Sequence, residues 1–288
     1  MGVCQELRER IKSGEGLVAP LCYDALSARL VERMGFGATY LGGGSLGAVL
    51  NVTEAMLTVT ELATAMRQIT LRTRIPVIAD GTTGFGEPLH VMRTVREVER
   101  AGGAGIEIED QLVPKRAHHH RGIEHLIPVE AMADKVRAAV DAREDPDFLI
   151  IARTNGVMQE SFERAVERGR AYAEAGADII MAIPRNLDEA KLLPKEIGAP
   201  MMMMALSVAD EMNLPPSELA RMGYPLIVHP TAGLGAAFGA LWDTYRDLKE
   251  HGRLDLDPAR VAEVQDEINE ALDLPEYWRI EEATVEKG

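Results

Sequence analysis

Cysteine is almost missing from this chain. Only Cys4 and Cys22 occur in 288 residues, too few for a disulfide framework and at a spacing that matches no zinc site. A reduced, cytoplasmic setting is therefore expected. Basic residues are in the minority: 31 Lys and Arg against 46 Asp and Glu leave a formal net charge of −15. Nucleic acid and anionic membranes both require a basic surface, so neither is expected as the partner. A small anionic substrate stays open, because a pocket can be locally basic on an acidic protein. No apolar run approaches the ~18–20 residues of a membrane span. The opening Met-Gly-Val-Cys-Gln-Glu lacks the basic-then-apolar pattern of a signal sequence, and Glu6 stands where a myristoylation site wants Ser or Thr.

What is present is enough for a core. Hydrophobic residues make up 46% and charged residues 27%, which argues against wholesale disorder. The length suits about one or two ordinary domains, or a single α/β barrel of ~250 residues. A recurring junction decides between these. Glu32-Arg33-Met34-Gly35 precedes Ala38–Leu41, Glu99-Arg100-Ala101-Gly102 precedes Gly105–Ile108, Glu174-Ala175-Gly176 precedes Asp178–Met181, and Arg221-Met222-Gly223 precedes Pro225–Val228. Each reads as a helix closed by glycine and followed by a short apolar strand. Leu17–Leu21, Pro76–Asp80, Phe148–Arg153 and Pro200–Met204 add four more strands. Leu89, Met92, Val95 and Val98, then Phe162, Ala165, Val166 and Tyr172, recur at helical spacing between them. Eight such strands alternating with helices predict a parallel (β/α)8 barrel. Ala232 to His251 reads as the closing helix and Asp257 to Leu274 as an extra one, opened by Asp257-Pro258. We expect one barrel domain over 1–288, with 257–288 as a C-terminal oligomerisation extension.

Barrel enzymes work at the C-terminal ends of their strands, and the polar residues gather there. Strand three ends in Asp80 before Gly81-Thr82-Thr83-Gly84-Phe85-Gly86, strand four in Glu107-Ile108-Glu109-Asp110-Gln111, strand five in Arg153-Thr154-Asn155, and strand two in Tyr40-Leu41-Gly42-Gly43-Gly44-Ser45. Taken singly, an Asp-Gly pair is usually a turn and an arginine usually a structural ion pair; their meeting at consecutive strand ends is what carries information. Asp80 and Glu109 aimed at one mouth would repel unless a cation lay between them, and oxygen donors favour a hard ion such as Mg2+. Arg153 offers a planar fork for a substrate carboxylate. Glu107 shares a face with Glu109, one layer deeper, and must find a partner there.

These motifs together resemble the isocitrate lyase / phosphoenolpyruvate mutase superfamily. The runs are Pro-Val-Ile-Ala-Asp with Thr-Gly-Phe-Gly, Ile-Glu-Asp-Gln, Pro-Lys-Arg and Ile-Ala-Arg-Thr-Asn, in order between about Leu17 and Leu248. The nearest likeness is to the short single-domain members: oxaloacetate decarboxylases, 2-methylisocitrate lyases and dimethylmalate lyases. The resemblance implies a barrel whose last helix is exchanged between subunits of a homodimer or homotetramer, Mg2+ or Mn2+, and a 2-oxo or 2-hydroxy acid handled through an enolate. It implies Asp80 as direct metal ligand and Glu109 in the metal's water shell. It implies Arg153, Asp80, Gly43, Gly44 and Ser45 around the substrate, with Tyr40 beside them, and Lys115 on a mobile loop that closes over the site.

Departures refine the expectation. Thr82 replaces a second aspartate, which removes one anionic group from the metal's surroundings. Ala117 replaces the loop cysteine that donates a proton in the lyases, so His118 or a neighbour in His118–His120 is expected to take over. After strand two the usual aspartate gives way to Thr53 or Glu54, and after strand six stands Ile183-Pro184-Arg185. The activity expected is a metal-dependent carbon–carbon lyase or decarboxylase with Lys115, Glu109, Arg153 and His118 as catalytic residues. Two alternatives stand beside it: a phosphonopyruvate-type mutase or hydrolase, and a non-catalytic small-acid binding protein.

Overall fold

The structure is a computed structural model that describes residues 2–205, 212–254 and 256–286. Eight parallel strands close into a barrel in sequence order: β1 Leu17–Cys22, β2 Thr39–Leu41, β3 Val77–Asp80, β4 Gly105–Glu109, β5 Leu149–Thr154, β6 Ile179–Ala182, β7 Met201–Met204 and β8 Leu226–His229. The helices are α1 Val3–Lys12, α2 Ala25–Arg33, α3 Gly43–Val49, α4 Val59–Thr70, α5 Pro88–Arg100, α6 Val129–Ala142, α7 Gly156–Gln159, α8 Phe162–Glu174, α9 Leu187–Ile197, α10 Pro216–Met222, α11 Ala232–His251, α12 Pro258–Ala271 and α13 Leu274–Thr284. The glycines of the four junctions, Gly35, Gly102, Gly176 and Gly223, all have φ between 83° and 110°. That is the left-handed region a helix end needs and a side chain disfavours.

Packing follows the strand and helix periods. Ile106 and Ile108 alternate with Glu107 and Glu109 along β4, so one pair faces the helices and the other the barrel interior. On α5 the buried stripe is Val91, Thr94, Val95 and Val98, each buried aliphatic contributing roughly 2 kcal/mol. The expected stripe began two positions early: Leu89, just after the Pro88 that opens the helix, is exposed. On α8, Ala165, Val166 and Tyr172 are buried as read from the sequence.

The chain divides into two compact units, Met1–Leu234 and Gly235–Gly288. The second holds the extra helical material, which is two helices rather than the single one expected. Asp273 breaks it with φ of 59°, and Pro275 then sits in the first turn of α13, where a missing N–H costs nothing. Phe238, Trp242, Tyr245 and Trp278 are exposed on this unit.

Strand register positions the polar residues. Asp80 is level with Glu107 across β3–β4, and Glu109 with Arg153 across β4–β5. The turn out of β3 is tight: a Cβ on Gly81 would lie 2.7 Å from the Glu107 carbonyl oxygen and 2.6 Å from Ile106 Cδ1. Gly81→Ala should therefore lower stability by about 1–3 kcal/mol in urea unfolding. A variant as stable as the parent would show that this strand end relaxes freely.

Candidate active site

The mouth of the barrel collects buried charge. Asp80 accepts hydrogen bonds from the Gly43 N–H (3.0 Å) and the Thr82 N–H (2.8 Å), one on each carboxylate oxygen. Glu109 Oε2 accepts from Gln111 Nε2 at 2.9 Å and from Asn155 Nδ2 at 3.3 Å. Its other oxygen lies 2.5 Å from Lys115 Nζ. Lys115 reaches this position from the 111–126 segment, and it also pairs with Glu54, which comes from the loop after α3. His119 Nε2 stands 2.9 Å from the same Glu54 oxygen. Its Nδ1 faces the Arg116 carbonyl at 2.7 Å, and its ring lies against that of His120 with centroids 4.0 Å apart. His120 Nε2 in turn meets Thr53 Oγ1 at 2.8 Å. The segment thus lies over the mouth with three contacts to the β2 side.

Beneath this cluster lies a second, deeper one. Glu107 accepts from Tyr40 OH at 3.0 Å and from Arg153 Nη1 at 3.1 Å. Arg153 Nε donates to Asn155 Oδ1 at 3.2 Å, and lies 3.6 Å from Glu109 Oε2. One guanidinium therefore ties both layers together.

Protonation follows from these contacts. Burial alone would raise Glu54, but the hydrogen bond with His119 and the charge of Lys115 hold it down at about 2. Burial and the Glu54 charge push Asp80 up. Burial pushes Glu107 up to about 7, with Arg153 offsetting part of the cost. The Glu54 hydrogen bond raises His119. Burial works against the Lys115 cation, yet the Glu109 and Glu54 charges outweigh it and keep the ammonium protonated.

The same fold recurs among known proteins. The family model for phosphoenolpyruvate phosphomutase matches residues 7–249. The chain belongs to the phosphoenolpyruvate phosphomutase family. It is 38% identical over 252 residues to a 2,3-dimethylmalate lyase of Eubacterium barkeri, covering 86% of this chain and 87% of that one. It is 40% identical over 248 residues to a 2-methylisocitrate lyase of Aeropyrum pernix, covering 85% and 80%. Among solved structures, phosphonopyruvate hydrolase in complex with oxalate and Mg2+ superposes with a TM-score of 0.87 at 30% identity, over 100% of both chains.

For this phosphoenolpyruvate phosphomutase family member, the donor set fits a hard divalent ion. Glu54, Asp80 and Glu109 bring three carboxylates toward one Lys115, and the buried Glu109 Oε1 is ion-paired with that ammonium without an aligned hydrogen bond. A Cβ on Gly43 would come within 3.2 Å of Asp80 Oδ2, and one on Gly44 within 3.1 Å of Glu54 Oε2. Bare backbone thus borders the two acids. Among the described residues no group of three or more His, Cys, Asp or Glu side chains is placed to hold an ion between them, so an ion here would rest on fewer protein oxygens and keep several waters.

The structure brings Asp80, Glu109, Lys115 and Arg153 together, with Gly43 and Gly44 beside them. Ser45 Oγ donates to the Gly42 carbonyl at 2.8 Å and so serves the turn. Tyr40 is 1% exposed, in the barrel interior, and its hydroxyl donates to Glu107. One expectation needs correction. His118 is exposed; the short helical turn Ala117–Arg121 faces His119 inward instead. Glu54, Gln111 and Asn155 had no assigned role in the sequence. The last two stand two residues beyond Glu109 and Arg153, the spacing that keeps side chains on one face of a strand. Glu54 had only its place after strand two, where Thr53 competed with it.

Glu107 gives a pH test. Its folded value near 7 lies above the ordinary 4.5, so its stabilising contribution is full below pH 4.5 and is lost as pH rises through 7. Glu107→Gln cannot titrate and escapes that loss. The stability of the variant relative to the parent should rise by roughly 3 kcal/mol between pH 4.5 and 8, measured by urea unfolding in EDTA. A difference that stays flat with pH would contradict the assignment.

Proposed function

We propose that this chain is a metal-dependent carbon–carbon lyase that acts on a small 2-oxo or 2-hydroxy di-acid through an enolate. The observation that carries this reading is the meeting of Lys115 with Glu54 and Glu109 beside Asp80 and Arg153. The relatives named 2,3-dimethylmalate lyase and 2-methylisocitrate lyase, each matched over 85% or more of this chain, support it. Asp80 would hold Mg2+ or Mn2+ directly, with Glu109 through the ion's water shell and Glu54 nearby. When bound, the ion supplies positive charge for the oxyanion that develops as the bond breaks.

The chain's own residues divide the remaining tasks. Arg153 presents the part of its guanidinium not spent on Glu107 and Asn155 to a substrate carboxylate. The Gly44 and Ser45 N–H groups lie in the first turn of α3, where helix geometry provides no intrahelical acceptor; they suit a second carboxylate oxygen. Cleavage leaves the bonding electron pair on one fragment as an enolate, which must then receive a proton on carbon. Lys115, held strongly protonated, is suited to neutralising charge rather than giving up its proton. His119, raised only from the ordinary imidazole range, is suited to donating one. It takes the task that Ala117 cannot perform and that His118, facing solvent, is not placed for. The 111–126 segment over the mouth excludes water from the enolate. The exposed aromatic residues of Gly235–Gly288 support exchange of this C-terminal unit within a homodimer or homotetramer.

A mass-spectrometric panel of oxaloacetate, substituted malates, methylisocitrate and phosphonopyruvate, with and without Mg2+, tests the reading. Carbon–carbon cleavage should appear with metal and vanish with EDTA, and Asp80→Ala should cost at least about a hundredfold in kcat. Full turnover in EDTA would reject the metal role, and phosphate release from phosphonopyruvate alone would move the chemistry to the carbon–phosphorus bond. His119→Gln should lower kcat about a hundredfold with little change in KM. Equal loss in His118→Gln with none in His119→Gln would reverse the assignment.

A further inference from the structure

Directly behind Glu109 lies a buried polar network that the chemistry above leaves unused. Asp110 is 0% exposed, and Arg168 and Tyr172 of α8 are 2% and 0% exposed. Tyr172 OH donates to Asp110 Oδ2 at 2.8 Å. Arg168 Nη1 lies 3.2 Å from that same oxygen, 2.9 Å from the Ile127 carbonyl oxygen and 3.1 Å from Tyr172 OH. Its Nε and Nη2 are taken by the two oxygens of Glu160, both at 2.8 Å. The other Asp110 oxygen accepts the Asn155 N–H at 3.3 Å.

Asp110 and Ile127 are the two roots of the segment that carries Lys115 and His119. Their backbones pair with each other, Ile127 N–H to Asp110 carbonyl at 2.8 Å. One rung further out, Gln111 bridges to Leu126 and the Leu112 N–H donates to the His125 carbonyl. Arg168 bonds to both roots, and through Asp110 to Asn155, whose side chain reaches Glu109. Space is reserved for it: a Cβ on Gly156 would lie 3.2 Å from Arg168 Cδ.

We propose that Arg168 is the positioning residue of the 111–126 segment, a buried guanidinium that ties its two roots to α8 and so fixes where Lys115 enters the carboxylate cluster. A lysine cannot reproduce this. It presents a point charge, whereas the planar fork serves Glu160 on one edge and the loop roots on the other. The link to catalysis rests on the reading of Lys115 given above, so the test reads the position of Lys115 without needing turnover.

The experiment is acetic anhydride labelling of the full-length protein, with modification of Lys115 followed by mass spectrometry and normalised to exposed Lys191. Lys115 should be protected in the parent, its side chain being 6% exposed. In Arg168→Lys the normalised rate should rise about tenfold or more, and kcat should fall more than KM changes. Tyr172→Phe retains the guanidinium and removes one partner; a smaller rise in the same direction covers the case in which Arg168→Lys does not fold. Gly223→Ala, strained just ahead of β8 where φ is 110° and a Cβ would lie 2.5 Å from Pro194 Cβ, should leave the ratio at the parent value. Parent-level labelling in folded Arg168→Lys or in Tyr172→Phe, or an equal rise in Gly223→Ala, would overturn the proposal. Failure of the catalytic reading would show separately, as full turnover in Lys115→Ala.

Discussion

Carboxylates crowded into the mouth of a barrel must be neutralised, and the rest of this structure is arranged around that need. Glu54, Asp80, Glu107 and Glu109 come from three different stretches of chain, and the fixed cations that meet them are Lys115 and Arg153. Buried charges left unpaired either change protonation state or draw in a counter-ion. The first response is visible. Glu107, deepest and paired with a single guanidinium, is pushed up to about 7. Asp80, pressed by Glu54 and Glu109, is raised and sits where a divalent ion would relieve it.

The barrel makes this crowding possible because its hydrogen bonds are paid for elsewhere. The parallel register sets Asp80 level with Glu107 and Glu109 level with Arg153 without help from the side chains. The apolar faces of β4 and α5 supply the stability that the polar mouth forgoes. Arg153 links the two layers, so the deeper acid orients a guanidinium that also faces Glu109. The Lys115 segment adds the one cation that is not built into a strand. Its position therefore depends on how firmly its roots are held.

Most of the architecture was legible in the sequence. Glycine closes the helices before Thr39, Gly105, Ile179 and Leu226, and short apolar runs between polar helices leave few alternatives to a parallel barrel. Asp80, Glu109 and Arg153 were legible for the same reason, because strand ends fix where they point. His118 and His119 could not be told apart from spacing alone: the short turn at Ala117–Arg121 decides which imidazole faces Glu54. The role of Arg168 was hidden because it depends on two loop roots, Asp110 and Ile127, that are 17 positions apart in sequence and adjacent only once the barrel closes.

The central claim is that the surplus of negative charge around Asp80 makes a place for a divalent cation. Crystals soaked in Mn2+ and measured for anomalous scattering test it most directly. The account predicts one strong peak per chain beside the Asp80 carboxylate, absent from crystals of Asp80→Asn. A mouth without a peak at saturating Mn2+, or a peak bound away from Asp80, would contradict it.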